Sequence, residues 1–241
     1  MNPTSVLNLG DAQYETGTLA NFQGSYDRSW GAFKDKTWAT AGGSHDFYGG
    51  GDWYTYFGSR AGPGPYKPFS FDVGAWHIVS LNVQCSNSDV GGCGVGSSQY
   101  NWLKDDLAAH PTQCTLAMWH NARWSSGPRH GTDARSDAFV QLLYDAGAEV
   151  ILSGHDHNYE RFAPQNQAGA RDDARGVVQF VVGTGGKWLE ESFGTIQPNS
   201  LARQRTTFGV LKLTLHPASY DWEFVAEASG SYSDSGSASC H

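Results

Sequence analysis

The sequence predicts an α/β protein, with a mixed sheet or two stacked sheets and helices outside. Three observations predict it. Apolar runs of strand length open the chain and recur along it. Segments with apolar residues at steps of three and four alternate with those runs. The chain then closes on two adjacent strand-like runs. A length of 241 residues can bury a substantial core. No linker and no internal repeat divides it, so residues 1–241 are read as a single domain.

Ser5 to Leu9 reads as a short buried strand that ends in Gly10-Asp11. From Thr18 to Lys34 the apolar residues Leu19, Phe22, Tyr26, Trp30 and Phe33 mark one face of a helix. Thr37 to Ala41 is a second short strand, running into Gly42-Gly43-Ser44-His45-Asp46. Residues 47–68 are rich in Gly and aromatic residues and receive no assignment. Phe69 to Val73 and Trp76 to Val83 read as a hairpin around Gly74-Ala75. Ser98 to Ala109 is helical, with Leu103 and Leu107 on one face. Cys114 to Trp119 is a strand that ends at His120. Asp133 to Ala146 is a helix stopped by Gly147, and Glu149 to Leu152 is the strand after it. Val177 to Val182 is another strand, and Phe208 to Leu215 with Tyr220 to Ala226 form a closing hairpin. The Ser-rich tail from Gly230 is expected to be loose unless Cys240 ties it down.

Charge excludes some classes of function. The formal net charge is -8 and Lys and Arg form no block, so the footprint of a general nucleic-acid or membrane-surface binder is absent. No apolar run approaches the ~20 residues of a membrane span, and no signal peptide is visible. Cys85 and Cys93 flank a Ser/Asn/Gly-rich loop, which suits a local disulfide. A bridge between Cys114 and Cys240 would pin the tail. The alternative is four unpaired thiols. An even cysteine count in such a chain points to an oxidising compartment.

Chemistry-bearing residues collect after the strands. The first strand supplies Asp11 and Tyr14, the second His45 and Asp46, a later one His120, and the Glu149–Leu152 strand His155 and His157. In open α/β sheets the carboxyl edge is where ligands bind. A mixed N and O donor set without thiolate suits Zn, Fe or Mn better than Ca. His77 lies inside a strand pattern and reads as structural, and His110, His216 and His241 have no supporting context. Asp156 is expected to orient one of its neighbouring imidazoles or to face solvent. Arg161 is expected to contact phosphate or to pair with a carboxylate.

Four segments together resemble a known family: Gly10-Asp11-Ala12-Gln13-Tyr14, Gly43-Ser44-His45-Asp46, Trp119-His120 and Gly154-His155-Asp156-His157. They resemble the GDxxY, GNH(D/E), lone His and GHxH motifs of the calcineurin-like metallophosphoesterases, in the purple acid phosphatase-like branch. Gly183 to Lys187 and Ser233 to Gly236, with the terminal Cys-His, look like secreted bacterial members. The resemblance implies an αββα sandwich and two metal ions (Fe, Zn or Mn), or one. It implies Asp11 as the bridging carboxylate, Tyr14 and His157 on the first metal, and His120, His155 and the residue at Ser44 on the second. His45, oriented by Asp46, would sit beside the leaving group, with His130 as a substrate-binding or acid imidazole.

The sequence departs from the pattern at three points. The family's upstream Asp motif has no counterpart, because only nine residues precede Gly10 and none is acidic. The N-terminal strand and its ligand are therefore expected to be missing. Ser44 replaces the Asn of GNH, and Asn121-Ala122 replaces a frequent His-Pro. The implied activity is hydrolysis of small phosphate mono- or diesters by a metal-activated water at a dinuclear site, in a secreted protein. The competing expectation is a weakened homologue that binds one metal, or a phosphorylated ligand, without efficient turnover.

Overall fold

The computed structural model describes residues 2–40, 42–112 and 114–241. The strands are β1 (Val6–Asn8), β2 (Thr37–Ala39), β3 (Phe69–Val73), β4 (Trp76–Ser80), β5 (Cys114–Trp119), β6 (Val150–Ser153), β7 (Tyr159–Phe162), β8 (Val178–Val182), β9 (Ser200–Gln204), β10 (Gly209–His216), β11 (Ser219–Ala226) and β12 (Ser235–Ser239). The helices are α1 (Leu19–Asn21), α2 (Asp27–Ser29), α3 (Ser44–Phe47), α4 (Asp52–Phe57), α5 (Ser98–Ala109) and α6 (Asp137–Asp145).

Seven strands form one mixed sheet in the order β3-β4-β5-β6-β8-β7-β9. Its centre, β4-β5-β6-β8, is parallel, while β3, β7 and β9 pair antiparallel. β5 and β6 are buried at every position. That is the mark of a parallel sheet covered on both faces. One face carries Val79, Ala117, Ile151 and Val181 against Leu103 of α5 and Phe139, Val140 and Leu143 of α6. The other carries Ile78, Leu116, Met118, Leu152 and Phe180 against Tyr220 and Phe224 of β11, with Leu7 and Trp38 packed beside them. Adjacent residues go to opposite faces, as the period of two requires.

The layer on that second face is split. The antiparallel group β10-β11-β12 and the parallel pair β1-β2 are separate sheets. The large mixed sheet with helices is as expected, whereas the stacked layer is two pieces and not one sheet. The expected end of β2 at Ala41 lies outside the described residues.

One local reading changes, an unassigned stretch gains structure, and the tail is tied down through Cys240. The helix expected over Thr18 to Lys34 is broken into α1, a π-helical turn Phe22–Tyr26, α2 and a 3-10 turn Gly31–Lys36. Its apolar face still packs, because Phe22 and Tyr26 meet Trp53, Tyr56 and Phe57 in an aromatic cluster. Those partners come from α4, inside the unassigned stretch 47–68. The tail is a strand, β12, anchored by the disulfide Cys114–Cys240, and Cys85–Cys93 closes the short loop. No helix among the described residues is long and apolar enough to cross a membrane.

Candidate metal centre

β1 and β2 run parallel with Val6 opposite Thr37, so both deliver their C-terminal ends to one side. β5 and β6 do the same, with Trp119 opposite Ser153. The segments beyond these four ends meet. Asp11 and His155 both adopt left-handed backbone, at φ 51° and 65°. Strained φ in non-glycine residues is tolerated where the surroundings over-determine it, and such residues cluster at functional sites. The neighbouring glycines permit the approach. A Cβ on Gly43 would stand 2.1 Å from the Asp11 amide nitrogen, and one on Gly10 would stand 2.7 Å from His120 Nδ1.

His120 is the centre of the arrangement. Its Nδ1–H donates to the Leu9 carbonyl at 2.8 Å. That bond fixes the tautomer, so a neutral ring turns the Nε2 lone pair inward. Nε2 then faces Asp11 Oδ2 at 3.1 Å and His155 Nδ1 at 2.9 Å. A lone pair against a carboxylate oxygen calls for a cation between them. Asp11, His120 and His155 each offer a ligand atom, all within 4.8 Å of one another. The donor set therefore fits a metal ion of the Zn, Fe or Mn type. Tyr14 extends it, with its hydroxyl 3.2 Å from Asp11 Oδ2 and 3.3 Å from His157 Nε2. His157 Nδ1 is buried with no hydrogen-bond partner.

Burial opposes charge on His120, yet the Asp11 carboxylate raises it overall, so a cation between Nε2 and Oδ2, proton or metal, is favoured. Burial opposes charge on Asp11, yet the adjacent His120 imidazole holds its carboxyl well below the usual range. Burial and the neighbouring His120 and His130 push His155 down to about 2, so it is neutral and able to ligate. Burial likewise lowers His157. Burial, with the Asp11 charge beside it, drives the Tyr14 phenol upward.

Other expected site residues sit close by in different roles. Ser44 opens α3, and the amide of His45 donates to Asp11 Oδ1 at 2.8 Å. The His45 ring is not oriented by Asp46; its Nδ1 lies 2.6 Å from the Glu15 carbonyl. Asp46 instead accepts from the amides of Ala12 and Gly43 at 3.1 and 3.0 Å. It is a clamp between the β1 and β2 loops, and burial together with the Asp11 charge pushes it up to about 6. Asp156 neither orients an imidazole nor faces solvent. It is fully buried and accepts from the Gly131 amide at 3.3 Å, holding the loop that carries His130. His130 is exposed and stacks 3.7 Å from the His155 ring, centroid to centroid. Arg161 pairs with Asp234 through two bonds of 2.7 and 2.8 Å.

A cavity of about 230 Å³ opens beside His155, lined by Asn121, Arg129, His130, Gly131, Thr132, Asp133 and Arg135. Several residues near the centre had no assigned role at the sequence level. Trp188 is 43% exposed, lies 4.3 Å from the His157 ring, and carries the Arg129 guanidinium at 4.7 Å. Lys187 sits 4.5 Å over the Tyr14 ring and pairs with Glu15. The available signal was the Gly183-Thr184-Gly185-Gly186-Lys187-Trp188 run after β8, a glycine-rich strand end like the others.

Two parallel strand pairs, β1-β2 and β5-β6, that gather Asp and His beyond their carboxyl ends define a candidate metal centre in an α/β protein. Residues 2–159 match the family model for calcineurin-like phosphoesterase, and the chain belongs to that family. It is similar to "Purple acid phosphatase 15" of Arabidopsis thaliana, 33% identical over 124 residues, covering 49% of this chain and 22% of that protein. It is also similar to "Tartrate-resistant acid phosphatase type 5" of Mus musculus, 26% identical over 194 residues, covering 70% of this chain and 59% of that protein. Among solved structures, the purple acid phosphatase PPD1 from yellow lupin (Lupinus luteus) seeds superposes with a TM-score of 0.69 at 20% identity, covering 99% of this chain and 47% of that one. That likeness is one of fold. The matches to the first plant relatives span between 22% and 37% of those proteins' lengths.

Proposed function

We propose that the chain is a metal-dependent phosphoesterase acting on small phosphate mono- or diesters outside the cell. The observation that carries this reading is the inward-facing Nε2 of His120 between Asp11 and His155. When bound, metal ions supply Lewis acidity toward a phosphoryl oxygen and lower the pKa of a water. Asp11, His120 and His155 would hold one ion, and Asp11 with Tyr14 and His157 would hold the other. The Ser44 hydroxyl would join His120 and His155 on their ion. Each of these residues is assigned as a ligand in the proposal.

The remaining residues bind and position substrate. The cavity beside His155 receives the ester, with Arg129 and His130 facing its anionic oxygens. Arg135 is taken up by Asp133, and Arg129 also pairs with Glu190 at 3.3 Å. His45 sits on the Glu15 carbonyl with its ring 4.5 Å from Tyr14, where an imidazole can pass a proton to a leaving oxygen. Asp46 keeps His45 in place indirectly, through the two loop amides. Two disulfides and the phosphatase relatives support secretion.

The test is hydrolysis of an aryl phosphate by chelator-stripped protein reloaded with Zn²⁺, Mn²⁺ or Fe. Activity that returns with metal and disappears in Asp11→Ala and His155→Ala supports the reading. Equal activity in parent and variants overturns it. A second reading rests on the compactness of one donor set, Asp11-His120-His155, with His157 joined to it through Tyr14. On that reading the protein holds one ion and turns over slowly, and metal analysis giving two tightly held ions at this centre counts against it.

A further inference from the structure

A second cluster of histidines and carboxylates lies at the opposite end of the large sheet. His77 pairs with Thr115 across β4 and β5. His120 lies five residues further along, so the two clusters are separated by roughly 17 Å at the usual rise per strand residue. His77 is 1% exposed and engaged at both nitrogens. Its Nδ1 lies 3.0 Å from Asp72 Oδ1 on β3, and its Nε2 lies 2.9 Å from Asp106 Oδ2 on α5. His110 follows Asp106 by one helical turn. Its ring lies 4.4 Å from that of His77 and only 14° from parallel. Its Nδ1 is 2.8 Å from the Asp106 carbonyl oxygen. The Ser70 hydroxyl donates to Asp106 Oδ1 at 2.7 Å and fixes that carboxylate from the β3 side.

We propose that His77, Asp106 and His110 form a peripheral site for a divalent transition metal of the Zn²⁺ class, with Asp72 orienting His77. Ligand atoms of the three residues all lie within 4.8 Å of one another. Asp72 takes the Nδ1–H of His77, which turns the Nε2 lone pair toward Asp106. This carboxylate–histidine–metal order is how proteins fix the tautomer of a ligating imidazole. His110 approaches the cluster through Nδ1, 3.4 Å from Asp106 Oδ1, and Nδ1 could ligate in the tautomer with the proton on Nε2.

A bare proton between His77 and Asp106 would satisfy that pair alone. Two features require more. A proton shared by His77 and Asp106 leaves His110 hydrogen-bonded, among the described residues, only to the Asp106 main chain, yet its ring lies parallel against that of His77. The His110 side chain is also 41% exposed, which gives an entry path and room for water as a fourth ligand. Two carboxylates, Asp72 and Asp106, lie beside the two imidazoles, and a divalent ion would offset their charge. The mixed imidazole and carboxylate donors favour Zn²⁺ over Ca²⁺ or Mg²⁺. Such an ion would tie α5 to the β3-β4 hairpin at the sheet edge, away from the centre of the proposed hydrolysis.

The experiment is Zn²⁺ titration by calorimetry on the chelator-stripped whole chain, repeated with Co²⁺ for its visible absorption. The Asp11→Ala/His155→Ala double variant is expected to retain one equivalent of Zn²⁺. His110→Ala in that background is expected to lose it, or to bind at least tenfold more weakly, with the corresponding Co²⁺ band absent. His77→Gln is expected to do the same, and near-UV circular dichroism checks its fold. Since His110 is on the surface, its variant tests the site even if His77→Gln does not fold. No Zn²⁺ uptake by the double variant, or unchanged uptake in His110→Ala, would leave a proton as the only occupant and overturn the proposal.

Discussion

The two ends of the large sheet use the same residue types in opposite ways. At the carboxyl end, Asp11 and His155 are held in left-handed backbone and His120 takes its orientation from a main-chain carbonyl. At the amino end the backbone is ordinary strand and helix, and side chains do the holding. His77 is oriented by Asp72, Cys114 is bridged to Cys240, and Glu149 accepts from the amides of Thr115 and His241. One end is shaped by where the chain turns, the other by where it is tied. A centre built on backbone geometry resists side-chain substitution around it, whereas a tied end can be released one bond at a time.

Removing the central carboxylate should have the largest effect. Asp11 is the one group in contact with His120, Tyr14 and the His45 amide at once. Asp11→Ala should lower metal-dependent aryl phosphate hydrolysis by about 10⁴-fold, the scale seen when a member of a concerted catalytic set is lost. Thermal stability at the far end should be unaffected, so a melting curve measured beside the assay separates the two ends. A loss of activity matched by a collapse in Tm would erase the distinction between them.

Next in size is the tail bridge. Cys114–Cys240 closes a loop with a sequence separation of 126, whereas Cys85–Cys93 closes one of 8. Chain-entropy reasoning gives about 5 kcal/mol for the long loop and about 2.5 for the short one. Cys114→Ala/Cys240→Ala should therefore cost more in urea denaturation than Cys85→Ala/Cys93→Ala. Metal affinity at the Asp11 centre should stay within a factor of two in either variant. Equal costs for the two bridges would argue against the entropic account.

The same contrast explains what could be read from the sequence. β5 and β6 were legible because each is an apolar run followed within three residues by a histidine, and a buried parallel strand leaves such a run. The histidines that follow them, His120 and His155, were legible as candidates with them. β12 was not, since Ser235-Gly236-Ser237-Ala238-Ser239 carries no apolar signal and its order comes from pairing with β11 and from Cys240. β7 and β9 were missed for a related reason, because Tyr159-Glu160-Arg161-Phe162 and Ser200–Gln204 mix polar and apolar residues within a covered sheet. The roles of Asp46 and Asp156 were hidden because both bind loop amides, and only the folded chain shows which amides are near. His77 read as structural and His110 as without context because their partners come from another strand and the end of a helix.

Glu149 tests the tied end through pH. Burial, opposed by hydrogen bonds from the Thr115 and His241 amides, raises its carboxyl from 4.5 to about 7. The folded state thus binds this proton more tightly than the unfolded chain does. Its stabilisation is fully present below pH 4.5 and is lost as pH rises to about 7. One pKa unit corresponds to 1.36 kcal/mol, so the parent should lose up to about 3 kcal/mol from this group across that window. Glu149→Gln should remove that component, giving a stability difference between variant and parent that changes over pH 4.5 to 7 and is flat outside it. A difference independent of pH would show that Glu149 titrates normally.

The smallest effect should come from Asp72, and it probes the comparison most directly. Asp72 is largely exposed, yet its Oδ1 takes one nitrogen of buried His77, as the Leu9 carbonyl takes one of His120. Substitution can remove the first of these partners but not the second. Asp72→Asn keeps the shape while weakening the acceptor and allowing the amide to turn its NH2 toward His77. Loss of an outer hydrogen bond to a ligating imidazole costs about tenfold or more in metal affinity. Zn²⁺ should therefore bind about tenfold more weakly at the His77 cluster, and its affinity at the Asp11 centre should not change. Equal weakening at both would mean that the two ends are coupled through β4 and β5. No weakening at either would mean that His77 is held by its packing alone.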